Sequence, residues 1–130
     1  MRPELYNPLV LAYIGDAILE VYVREYLVLE KNIQKPNQLQ KMAVQYVSAK
    51  AQATFLKEAI ANEWLSEEEI SWYKRGRNAK NSRYLKNTDV RTHNESSGFE
   101  ALIGTLHLNG NDERLNSLFK IYTSFIERGI

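Results

Sequence analysis

Apolar residues recur along nearly the whole chain at the three- and four-residue spacing of a helix face, and no stretch sustains strand alternation. A chain patterned this way buries a core by packing helix on helix. Cap signatures mark where the helices begin. Asn7 and Pro8 read as an N-cap followed by a first helical position, opening a helix that runs to about Leu29. Its apolar face comprises Leu11, Ile14, Ile18, Val21 and Tyr22, widened by Leu19 and Val23. So broad a surface suits a helix buried on more than one side, including at a subunit contact.

Pro36 and Asn37 open a second helix carrying Leu39, Met42, Ala43 and Tyr46. Ser48 caps a third, from Ala49 to about Ala61, with Phe55, Leu56 and Ile60 inward. Ser66 and Glu69 form a capping box for a fourth, which presents Ile70, Trp72 and Tyr73 before Gly76 weakens it. Residues 81–95 are polar and nearly aperiodic, and are expected to form a long loop of functional interest. A helix carrying Glu100 follows and ends near Leu108 at Asn109-Gly110, a suitable left-handed C-cap. Asp112 is expected to cap a final helix with Leu115, Leu118, Phe119, Tyr122 and Phe125 inward. The expectation is a single all-α domain over residues 1–130, of about six or seven helices.

Composition narrows the chemistry. With no cysteine, disulfides, thiolate zinc sites and cysteine nucleophiles are excluded. Two histidines, His93 and His107, are too few for a histidine-rich metal site and read as loop and helix-surface residues. No apolar run approaches membrane-spanning length and no secretory leader is evident, so a cytoplasmic protein without a membrane partner is expected. The net charge of +1 conceals a strong asymmetry: residues 74–93 carry +6 and the remainder −5. Such a concentrated basic stretch fits a phosphate-bearing partner, although charge alone fits a solvated loop equally well.

Two acidic residues stand in apolar surroundings, Asp16 in residues 11–20 and Glu100 in residues 97–104. An ionised carboxylate is costly to bury alone, and two on apolar helices suggest a shared cation. They lie 84 residues apart, so only the tertiary fold can bring them together. Oxygen ligands suit a hard ion such as Mg²⁺, which can activate water and neutralise charge on a phosphoryl oxygen. Two partly exposed acids, or buried salt bridges, would give the same spacing. Gly15 beside Asp16 and Gly104 after Glu100 would allow close approach of a backbone or a substrate, or a simple helix crossing. Glu20, one turn from Asp16, is better read as a surface or salt-bridged residue than as a ligand.

Five blocks carry a family resemblance: LeuAlaTyrIleGlyAspAla at 11–17, ValSerAlaLysAlaGlnAla at 47–53, LysArgGlyArgAsnAlaLys at 74–80, LysAsnThrAspVal at 86–90, and GlyPheGluAlaLeuIleGly at 98–104. In this order they resemble the ribonuclease III endonuclease domain. The likeness is nearest to the Mini-III branch, which lacks a separate double-stranded-RNA-binding domain. The resemblance implies a homodimeric, all-helical, Mg²⁺-dependent endoribonuclease for double-stranded RNA, with Mn²⁺ a plausible substitute. It further implies 5′-phosphate and 3′-hydroxyl products, and a role in maturing the ends of precursor 23S ribosomal RNA, with any helper protein unspecified. By position, Asp16 and Glu100 become the catalytic metal-binding carboxylates. Where larger ribonuclease III enzymes carry two further carboxylates, this chain has Ala12 and Ser97. The identity of the remaining ligands and the number of ions are therefore open.

Without an appended module, the catalytic domain itself must contact phosphates and 2′-hydroxyls. Candidate donors are Lys50, Arg75, Arg77, Asn78, Lys80, Lys86, Asn87 and Thr88, and several phosphate contacts would make affinity salt-dependent. Two rival readings predict different behaviour. A non-catalytic RNA-binding module on the same fold would bind duplex without cutting it. A plain helical interaction domain would not bind duplex at all.

Overall fold

The structure is a computed structural model that describes residues 2–79 and 87–129, with the side chains of residues 87–89 left out. A short 3-10 turn, Pro3–Leu5, precedes six α-helices: α1 (Pro8–Glu25), α2 (Pro36–Val47), α3 (Ala49–Ala61), α4 (Glu67–Ala79), α5 (Asn87–Leu108) and α6 (Asp112–Arg128). A π-helical turn, Tyr26–Glu30, carries α1 onward to the end expected for it. Among the described residues there is no strand, and no helix is long and apolar enough to cross a membrane.

Side-chain caps account for three of the helix starts. The Asn7 side chain accepts the Leu9 amide, Ser48 accepts the Ala51 amide, and Ser66 and Glu69 exchange both bonds of a capping box. Gly110 takes φ of +73° just after α5, as a left-handed stop requires. The α6 boundary lies one residue from expectation. Asn111 is its N-cap and Asp112 the first helical residue, where its charge favours the helix dipole without capping it.

Helix α5 is the axis of the fold, packed most extensively on α1, then on α4 and α3. Every residue from Ser96 to Leu106 is buried except Glu100, which is half-buried. A helix enclosed on all sides needs apolar residues all round rather than a stripe. Phe99, Leu102, Ile103 and Leu106 meet Leu19, Val23, Phe55, Leu56, Leu118, Phe119 and Tyr122 in one core. Phe55 anchors it, with the rings of Phe99, Tyr122 and Phe125 between 4.9 and 5.7 Å away.

Three expectations are corrected. Of the expected loop, residues 81–86 lie outside the described residues, and residues 87–95 are the first turns of α5, so His93 is an exposed helix residue. Residues 90–95 are half-buried or exposed and join a largely buried half-helix, which leaves no single stripe to read. The buried line of α1 is Leu11, Ala12, Gly15, Leu19 and Val23, whereas Val21 points outward. On α3 the inward set is Gln52, Phe55, Leu56 and Ala59, and Ile60 is exposed. In each case i, i+4 rows of small and large residues define the contact, not hydrophobicity alone.

Candidate active site at the crossing of α1 and α5

The site is set by two helices in backbone contact. A Cβ on Gly15 would lie 1.7 Å from the carbonyl oxygen of Glu100, and one on Gly104 would lie 2.0 Å from that of Leu11. No side chain fits at either point, so both glycines are needed for the approach. Glycine inside a helix costs about 0.5–1 kcal/mol relative to alanine. Here the close packing that it allows offsets that cost. Because Gly15 touches the backbone of Glu100, its neighbour Asp16 stands at the same crossing. Consecutive Cα atoms lie about 3.8 Å apart. The backbones that carry these two acids, 84 residues apart in sequence, are thus brought together at one helix crossing.

Their environments differ. Asp16 is exposed, so the desolvation argument that singled it out does not apply to its side chain. Glu100 does fit that argument, as the half-buried carboxylate of a buried helix. Its Oε2 accepts a hydrogen bond of 3.2 Å from Nε2 of Gln52. Glu20 pairs with Arg24 one turn on, at 3.3 Å, as expected of a salt-bridged residue. Ala12 is buried against Leu11 and Ala101. Ser97 is also buried, and its carbonyl would lie 3.1 Å from a Cβ on Gly76 where α4 crosses α5. Both positions are closely packed and neutral.

Gln52 was not among the residues singled out from sequence. Its side chain is 1% exposed, donates from Nε2 to Val47 O at 3.0 Å as well as to Glu100, and leaves Oε1 buried without a hydrogen-bond partner. The signal was present, since Gln52 stands three and four residues before Phe55 and Leu56 on the inward face of α3. A buried acceptor without a donor costs about 1–3 kcal/mol.

Among the described residues no group of three or more His, Cys, Asp or Glu side chains could hold a metal ion. The donor set nonetheless fits a hard divalent ion. It offers the Glu100 carboxylate, bonded by a neutral amide that leaves its charge in place, and the exposed carboxylate of Asp16, next in sequence to Gly15. Mg²⁺ characteristically takes one or two carboxylates and retains several waters.

The basic candidates divide by position. Lys50 is exposed on the first turn of α3. The Arg75 guanidinium donates to the carbonyls of Glu4 and Tyr6, the latter at 3.2 Å, and so fastens the N-terminal segment to α4. Arg77 lies over the Tyr73 ring, 5.5 Å from its centroid, and its Nε bonds Asn78 Oδ1 at 3.2 Å. Arg77 and Asn78 line a polar cleft between α4 and α5, with Tyr73, Arg91, Asn94 and Glu95. Lys80 and Lys86 lie outside the described residues, and Asn87 and Thr88 are described only as helical backbone.

The fold and this crossing define a class. Residues 9–111 match the family model described as the Ribonuclease III domain, and the chain belongs to that family. It is an endoribonuclease specific for double-stranded RNA. Within the family it is similar to the Mini-ribonuclease 3 of Staphylococcus aureus, 51% identical over 126 residues that cover 96% of this chain and 93% of that one. It is also similar to the Mini-ribonuclease 3 of Enterococcus faecalis, 54% identical over 112 residues covering 86% and 84%. The crystal structure of a Fusobacterium nucleatum protein shares the fold with a TM-score of 0.77 and 29% identity, across 97% of this chain and 96% of that one. The family and branch resembled by the sequence blocks are therefore those the comparisons find.

Proposed function

We propose that Asp16 and Glu100 are the catalytic carboxylates of a Mg²⁺-dependent endoribonuclease that cuts double-stranded RNA as a homodimer. The observation that carries the reading is the glycine-permitted contact of α1 with α5, which puts Gly15 against Glu100. Asp16 and Glu100 would hold the cation, with water completing its shell. When bound, a divalent ion supplies activation of water and neutralisation of charge on the scissile phosphoryl group. The protein's own part is positioning. Glu100 is half-buried on a buried helix and accepts from Gln52, and Asp16 is exposed, where a phosphate backbone can approach. Lys50, Arg77 and Asn78, and also Lys80, Lys86, Asn87 and Thr88, would contact phosphates and 2′-hydroxyls.

The dimer reading rests on α1. Leu9, Val10, Tyr13 and Val21 are all exposed and recur at helical spacing along its outer side, with exposed Tyr6 just before the helix. A second copy of the same surface would cover them. The substrate we assign is precursor 23S ribosomal RNA, cut at its ends, on the strength of the Mini-III resemblance. The test of the catalytic reading is Asp16→Asn. This variant should lose Mg²⁺-dependent cleavage of a long RNA duplex while keeping its helical circular dichroism and its duplex affinity. Near-normal cutting would refute the role given to Asp16. A wild-type protein that binds duplex and never cuts it would favour the non-catalytic module.

A further inference from the structure

We infer that Gln52 is a positioning residue for the cation site, holding the Glu100 carboxylate in the rotamer that takes a divalent ion; this rests on the reading of Asp16 and Glu100 as the cation pair. Three observations point to it. Nε2 of Gln52 lies 3.0 Å from Val47 O and 3.2 Å from Glu100 Oε2, between two acceptors. Turning the amide over would set its oxygen against both of them, so the orientation is determined by the bonds themselves. The side chain is 1% exposed, and its Oε1 has no hydrogen-bond partner. A leucine would fill that slot without leaving an unpaired oxygen, so packing alone does not account for an amide here.

The chemistry of the donor matters. A lysine or arginine in this slot would neutralise the Glu100 charge and compete with a cation for it. An amide fixes one carboxylate oxygen and leaves the negative charge intact. Groups that orient a ligand in this way typically change metal affinity 10- to 100-fold, roughly, when removed. Ser48 caps α3 and Phe55 anchors it in the core, so Gln52 is itself rigidly held.

The probe is Mn²⁺ alone, titrated calorimetrically into the full chain without RNA and compared with the Mg²⁺ dependence of duplex cleavage. Gln52→Leu should weaken Mn²⁺ binding by about tenfold or more and raise the half-maximal Mg²⁺ concentration in parallel. Duplex affinity measured in Ca²⁺ should stay within about twofold. In a Glu100→Gln background the same substitution should change Mn²⁺ affinity less than about twofold, because Gln52 acts through Glu100. Mn²⁺ affinity of Gln52→Leu within twofold of wild type, while Asp16→Asn loses the ion, overturns the role of Gln52 and leaves the cation pair standing. Equal Mn²⁺ binding by wild type and Asp16→Asn overturns the cation pair, and this inference with it. Gln52→Met is the second variant. Loss of a cooperative thermal transition in both would make the amide a folding determinant and overturn the proposal.

Discussion

At the scale of single residues, the polar groups that fix this fold are held by several bonds at once. Glu69 closes the capping box with Ser66 and meets Arg114 through both oxygens, at 2.7 and 2.9 Å. Arg114 also donates to Trp64 O at 2.7 Å, tying α6 to the turn before α4. Burial alone would push the Glu69 carboxyl up, but the Arg114 bond and the Ser66 amide outweigh it and hold it below its ordinary 4.5. Glu127 is lowered in the same way: burial opposes, and Tyr26, Lys31 and Tyr46 prevail. A carboxyl with a depressed folded-state pKa stabilises the protein above its unfolded value, and that stability fades as pH falls through the folded value. Stability should therefore be level near neutrality and decline below about pH 4.5. Glu69→Ala should cost about 2–3 kcal/mol at pH 7, and thermal melts from pH 7 to 3 should show a shallower decline than wild type. An unchanged pH profile in that variant would remove Glu69 from the account.

At the scale of elements, the crossing of α1 on α5 determines whether a site exists. Gly15→Ala sets a methyl 1.7 Å from the Glu100 carbonyl, and only separation of the helices relieves it. The expected cost is at least about 3 kcal/mol, at the upper end of overpacking effects, read from denaturant unfolding. Cleavage should fall even where the fold survives, because Asp16 moves away with its helix. What the sequence could show here followed from how local the physics was. Caps at Asn7, Ser48 and Ser66 involve neighbours two or three residues away, and they were legible. The first turns of α5 were not, because their helicity comes from packing beside α4, and residues 87–95 carry no apolar stripe of their own. Glycines 15 and 104 announced a close approach without saying to what. Gln52 was passed over because one polar residue among apolar neighbours has meaning only once Glu100 is known to face it.

At the scale of the whole molecule, the exposed apolar side of α1 belongs to the same helix as Asp16. Tyr13, 79% exposed, is three residues from that acid, so the proposed dimer contact and the proposed catalytic acid would share one element. Replacing Tyr13 with aspartate should leave the helical circular dichroism unchanged while sedimentation shifts from dimer to monomer, with loss of cleavage at dilute protein concentrations. A wild-type protein that sediments as a monomer at every concentration assayed would contradict the dimer. The body of the chain is acidic and residues 74–93 are basic, so duplex RNA is expected to meet the molecule on the α4 side.

Anomalous diffraction from a crystal soaked in Mn²⁺ tests the central claim most directly. The account predicts one anomalous peak at the crossing of α1 and α5, with carboxylate oxygens of Asp16 and Glu100 both bound to the ion directly or through a single water. A peak elsewhere, or one touching only one of the two acids, would contradict it.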